Sequence, residues 1–275
     1  MTVLELIETT AAYFGRHEVA SPRLTVELML AEALQKTRMQ LYLEFDQPVP
    51  EPVLDRLRPL VKRRAEGEPL EYLLGVTTFA GHRVNVGPEV LIPRPETEIL
   101  FEEVAKLVEP EGLPIADIGT GSGILALSLA KKFPKLQVYA VDDCPKAIGM
   151  ARQNTAGLEN IHLLQSDLLA EPSLPPKFQC IVANLPYIPA GQIDGLSREV
   201  RREPRRALDG GADGLDLIRR LIAESAGRSR YLALEFGDGQ QAEAKTLCER
   251  AGYALIRVVP DLTERERILV AEYHG

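Results

Sequence analysis

The chain has 275 residues, 45% of them hydrophobic, which is enough to bury a full core as one large or two modest domains. A formal net charge of −8 argues against broad, nonspecific nucleic-acid affinity, and three cysteines without metal spacing beside four scattered histidines argue against a metal site or a disulfide framework. Glu5 and Glu8 interrupt the first apolar residues and no apolar run reaches membrane-span length, so a reduced, cytoplasmic protein is expected, with no membrane association.

Val3, Leu6, Ile7, Ala11 and Phe14 recur at helical spacing, and a second such run covers residues 24–34. Pro48, Pro50 and Pro52 break the pattern before Val53, Leu54, Leu57, Leu60 and Val61, a helix expected to kink or reset at Pro59. Residues 1–74 therefore read as a small helical domain without chemistry of its own, suited to recognising a partner or to capping the rest of the chain. Residues 76–79 and 83–86, joined through Ala80-Gly81-His82, read as a β-hairpin within a linking segment, 75–91. In Pro93-Arg94-Pro95-Glu96-Thr97-Glu98, Pro95 suits a first helical turn and the acids suit its positive end.

The remainder of the chain, residues 92–275, has a different rhythm. The run Ile115 to Ile118 feeds Gly119-Thr120-Gly121-Ser122-Gly123 and then an apolar-periodic helix, a strand, glycine turn and helix start that can hold a nucleotide-like ligand. A second strand, 136–141, ends in Asp142-Asp143, about 20 residues after the glycines, where a carboxylate meets ribose hydroxyls. A third run, 161–165, ends in Ser166-Asp167, and a fourth, 178–183, delivers Asn184-Leu185-Pro186-Tyr187. In an open parallel sheet these strand ends converge in one crevice. Only Ser122 separates the second and third glycines, where the dinucleotide fingerprint has two residues, and this favours S-adenosylmethionine over a nicotinamide cofactor. Asp117, just ahead of the loop, could then face the methionine ammonium.

The Asn184 turn suits a planar nitrogen. Its side-chain oxygen and the Leu185 carbonyl can accept two N–H bonds while Tyr187 covers a flat face and Pro186 stiffens the turn. Residues 189–212 lack periodicity and read as a loop beside the site, a lid or docking surface. Its arginines, Arg201, Arg202, Arg205 and Arg206, fit either contact with an acidic partner or pairing with Glu199, Glu203 and Asp209. Helices over 215–226 and 240–251 and strands over 231–235, 253–259 and 267–271 complete the chain, the last two too close for an intervening helix and so an antiparallel edge hairpin.

These segments resemble the HemK/PrmC family of protein-glutamine N5-methyltransferases. The resemblance rests on Leu91-Ile92-Pro93-Arg94-Pro95-Glu96-Thr97-Glu98, the Asp117 to Gly123 loop, the Asn184 to Tyr187 turn and Glu199 to Gly214. Leu234-Glu235-Phe236-Gly237 and Asp261-Leu262 also fit. It implies an α/β fold, a seven-stranded Rossmann-like methyltransferase sheet behind the helical domain and hairpin. It also implies methyl transfer from S-adenosylmethionine to the glutamine of a Gly-Gly-Gln loop in peptide chain release factors, without stable nucleic-acid binding. Asn184, Leu185, Pro186 and Tyr187 would be catalytic. Asp117, Gly119, Thr120, Gly121, Ser122, Gly123, Asp142, Asp167, Leu168 and Asn184 would hold the cofactor, with Asp167 and Leu168 by the adenine and Pro93, Arg94 and Thr97 across the pocket. The family's turn is normally Asn-Pro-Pro-Tyr, and Leu185 departs from it toward the form of ribosomal RNA adenine dimethyltransferases. Adenine N6-methylation of RNA or DNA is thus the second reading.

Overall fold

The computed structural model describes residues 1–274. They form two compact units, one of Met1–Val76 with Ser197–Arg202 and one of the remainder. The return of residues 197–202 to the helical unit differs from a simple division of the chain at its hairpin.

The first unit consists of α1 (Val3–Arg16), α2 (Pro22–Leu34), α3 (Arg38–Leu43), α4 (Glu51–Ala65) and α5 (Leu70–Leu74). Thr2 starts α1 with a reciprocal cap: its hydroxyl accepts the Glu5 N–H, and the Glu5 carboxylate accepts the Thr2 N–H. Ile7, Phe14, Leu30 and Leu41 meet in its core. Helix α4 runs on through Pro59 without a reset, since one missing N–H removes a single rung of a long helix. Residues 197–202 are tied down where Arg64 donates to Glu199 at 2.8 Å and Arg202 donates to the Glu66 carbonyl at 3.2 Å.

The second unit opens with the hairpin β1 (Val76–Phe79) and β2 (His82–Asn85), whose two turn residues, Ala80 and Gly81, both take positive φ. Helix α6 (Pro95–Leu107) comes next, then a seven-stranded sheet among the described residues. Its strands are β3 (Ile115–Ile118), β4 (Val138–Asp142), β5 (Ile161–Gln165), β6 (Phe178–Ala183), β7 (Ser229–Glu235), β8 (Tyr253–Pro260) and β9 (Glu266–Tyr273). Their order is β5-β4-β3-β6-β7-β9-β8, parallel from β5 to β7, with β9 antiparallel to both its neighbours. The late strand pair is thus an antiparallel hairpin at the edge, as its spacing predicts.

Alternation along the strands sends side chains to two cores. Ile118, Ile181, Ala183 and Leu234 pack with Ile218 and Leu221 of α9 (Asp216–Ser225) and Cys248 of α10 (Gln241–Arg250). Ile115, Val138, Cys180 and Val182 pack instead with α6 and α7 (Ile124–Lys132). Strands β3 and β6 are buried on both faces, which is why they read as apolar runs interrupted only by Asp117 and Gln179. The chain moves outward from β3 to β4 and β5 and returns on the other side at β6. The topological switch point therefore lies between β3 and β6, where the glycine loop and the Asn184 turn emerge side by side.

Candidate active site

The glycine loop is built on β4. Gly119 and Thr120 both donate to the Val141 carbonyl, at 2.8 and 2.9 Å, which turns the chain sharply off β3. Gly119 has φ +73°, and a Cβ there would meet Leu185 Cδ2 at 2.8 Å, so turn and loop touch with no room for a side chain. Gly123 has φ +79° and caps α7; a Cβ on it would strike Ala151 of α8 (Pro145–Asn154) at 2.9 Å. Gly123 therefore serves close helix packing and does not line the ligand crevice.

Two adjoining hollows occupy the switch point and share Leu91, Gly119, Gly121 and Asn184. The larger is bounded by Asp142, Asp167, Leu168, Leu185 and Pro186, the smaller by Pro93, Thr97, Asp117, Thr120 and Ser122. Residues expected from four strand ends are thus brought together. Two are not. Arg94 turns to the buried Glu203, which also accepts the Ile92 N–H at 3.0 Å, and it lines neither hollow. Tyr187 points its hydroxyl at Glu235, 3.1 Å away, rather than lining the cleft.

Asp142 accepts the Gly121 and Cys144 N–H groups at 2.9 Å each. Burial raises its pKa and these bonds pull it back. Neighbouring Asp143 is committed to an ion pair with Arg206. Asp167 lines the larger hollow, but its carboxylate takes a 2.9 Å hydrogen bond from Arg220. Leu168, at φ 49°, is the strained residue there.

Asp117 is buried in the smaller hollow. One carboxylate oxygen accepts from the Thr120 hydroxyl at 2.6 Å and the Ala126 N–H at 3.1 Å; the other, Oδ1, is buried without a hydrogen-bond partner. Burial, opposed by those two bonds, raises its pKa to about 7. A buried, half-satisfied acid is costly unless a cationic or hydrogen-bonding ligand completes it. With Gly119 and Gly121 bringing bare backbone to the wall of both, the hollows fit a ligand that carries an ammonium at one end and an adenosine at the other.

The turn is held by groups far away in sequence. Asn184 Nδ2 donates to Thr97 Oγ1 at 2.9 Å, and the Thr97 hydroxyl donates to Glu235 Oε2 at 2.9 Å. Glu235 is buried, which raises its pKa to about 7 despite these bonds. Burial and the adjacent Glu235 push the Tyr187 hydroxyl far up, so it stays protonated and donates to Glu235. Beyond the turn, Ile188 donates to the Leu208 carbonyl and Gly210 donates to the Ile188 carbonyl, at 3.0 and 2.9 Å. A Cβ on Gly210 would lie 2.6 Å from the Pro186 carbonyl, which explains the glycines of the Asp209 to Gly214 segment. Residues 208–210, near the end of the aperiodic stretch, are therefore a backbone-paired collar on the turn. Sequence reasoning left Glu235 without a role, although Leu-Glu-Phe-Gly stands at the end of a buried strand.

The comparisons agree with this geometry. Residues 5–75 match the family described as PrmC N-terminal domain, and residues 115–205 match a methyltransferase domain. A curated release factor glutamine methyltransferase of Moorella thermoacetica is 40% identical over 98% of this chain and 98% of its own length. Proteins of the same name from Geobacter sulfurreducens and Rhodopirellula baltica are 39% and 38% identical, over 92% and 98% of this chain and 90% and 95% of their own lengths. Among solved structures, the hMettl16 catalytic domain in complex with a MAT2A 3′UTR hairpin superposes with a TM-score of 0.58 at 14% identity, over 84% of this chain and 95% of that one. A methyltransferase from Pyrococcus furiosus gives 0.53 at 17%, over 72% and 92%. Those two share the fold. With 38–40% identity to curated relatives over nearly the whole chain, and the helical unit and the first strands of the sheet matched, the chain belongs to the release factor glutamine methyltransferase family.

Proposed function

We propose that this protein transfers the methyl group of S-adenosylmethionine to the side-chain amide nitrogen of the glutamine in the Gly-Gly-Gln motif of peptide chain release factors. The observation that carries the reading is the free oxygen pair at the Asn184 turn. Asn184 Nδ2 is committed to Thr97, so Oδ1 and the Leu185 carbonyl remain to accept two N–H bonds. Bound S-adenosylmethionine supplies an electrophilic methyl on its sulfonium. Asp117 Oδ1 would hold its ammonium, Asp142 its ribose hydroxyls, and the Asp167–Leu168 corner its adenine, with the Asp167 carboxylate shared with Arg220.

The protein's own work is alignment. An amide nitrogen is a weak nucleophile, and holding both its N–H groups aims it in line. A methylated amide nitrogen would be acidic, and the Leu185 carbonyl or water would take its proton. No strong base is needed, which agrees with Tyr187 staying protonated.

The helical unit is assigned to substrate recognition, residues 75–91 to linkage and 92–275 to catalysis. In support, α3 exposes Met39 and Leu43 one turn apart, at 70% and 81%. Three buried free cysteines support a cytoplasmic setting. The functional test is incubation with labelled S-adenosylmethionine and either release factors or undermethylated ribosomal RNA. Label on protein, located to glutamine by peptide mass spectrometry, is expected; label on RNA adenine would establish the second reading.

A further inference from the structure

A side-chain amide presents an oxygen on one branch and an NH2 on the other, and a clamp for a substrate N–H works only with the oxygen outward. Within the turn itself nothing fixes that choice. It is set by a chain of donors that ends on Glu235. The Thr97 hydroxyl has one proton, and it goes to Glu235 Oε2 at 2.9 Å. Thr97 Oγ1 therefore faces Asn184 with a lone pair, and only Nδ2 can meet it, at 2.9 Å. The other Glu235 oxygen receives the Tyr187 hydroxyl at 3.1 Å. Glu96 on α6 and Arg267 on β9 also act on this carboxylate through their charges.

We propose that Glu235 is a positioning residue which, through Thr97, holds the Asn184 amide with Oδ1 toward the substrate nitrogen and, through the Tyr187 hydroxyl, anchors the aromatic end of the turn. The inference rests on the reading of Asn184 as acceptor for the glutamine N–H. The carboxylate, the form Glu235 takes above a pH of about 7 and hence the form to assay, is required because it accepts at both oxygens. In E235Q one position becomes an NH2 donor. When that donor meets Thr97, the threonine proton swings toward Asn184 and selects the reversed amide, which sets an NH2 against the substrate NH2. T97V removes the link and keeps the shape; T97S keeps the link.

The experiment measures single-turnover methyl transfer to a purified release factor, with S-adenosylhomocysteine affinity by calorimetry and Tm for each full-length variant. T97V and E235Q are expected to slow transfer by about tenfold or more, with affinity for S-adenosylhomocysteine changed by less than about threefold. T97S should transfer within about threefold of the parent, and the E235Q/T97V double variant should be no slower than its slower single, since both cut one chain. Wild-type transfer by T97V, or T97S as slow as T97V, overturns the proposal. N184A separates the two levels: unimpaired transfer in N184A removes the clamp reading itself, whereas an impaired N184A beside a fully active T97V removes only the relay. If E235Q does not fold, the T97V and T97S pair still decides.

Discussion

Asp117 and Glu235 are acids kept in places that favour their protonated forms. Each has a folded pKa of about 7 against ordinary values of 3.8 and 4.5, with burial the leading cause. Each thus binds its proton more tightly folded than unfolded, so the stability of the ligand-free protein should fall as pH rises from about 4 to about 7 and then level off. Differential scanning calorimetry across that range checks the sign. D117N removes the charge at the deepest site and should raise the ligand-free Tm at pH 8 by roughly 3–8 °C. The same change should weaken S-adenosylhomocysteine binding by at least about tenfold, because the ligand ammonium loses its counter-charge. Stability gained and affinity lost in one variant would mark Asp117 as a functional acid; an unchanged affinity would remove it from the site.

At the scale of elements, the glycine loop and α3 carry separate jobs. G119A places a side chain at φ +73° against Leu185 and should lower Tm by roughly 3–8 °C and weaken cofactor binding, both readable by thermal shift. Met39→Glu with Leu43→Glu should leave Tm and S-adenosylhomocysteine affinity unchanged while raising KM for the release factor by about tenfold, measured in steady-state kinetics. Equal KM in parent and variant would take α3 out of the recognition surface. Elements of this kind were unevenly legible in the sequence. The buried strands, the glycine turn and the paired edge strands stand out because burial on both faces, turn chemistry and spacing each leave a pattern. Helix α8 is veiled by Gly149 and polar residues, and α3 and α5, at 6 and 5 residues, are too short for periodicity. The fit of Gly210 and Gly214 around the turn, the turning of Arg94 to Glu203 and the Glu235 relay join residues distant in sequence, and no local pattern encodes them.

At the scale of the whole molecule, the acidic balance is kept by pairing more than by exclusion of arginine. Arg205 pairs with Asp209 and Arg206 with Asp143, so half of the run that reads as basic in sequence is neutralised in place. Among the described residues no acidic side chain pairs with Arg198 or Arg201, which line a shallow depression with Glu66 and Arg202. Charge reversal at Arg198 and Arg201 should lower the rate of association with an acidic partner and flatten its salt dependence, checked by stopped-flow mixing at two ionic strengths.

The helical unit is discontinuous, because residues 197–202 belong to it while their neighbours on both sides do not. A single protease nick at the hairpin would therefore cut the peptide chain without freeing the amino-terminal fragment, which still grips the other piece through Arg64 and Glu199. The two fragments should elute together from a sizing column, and Arg64→Ala should let them part.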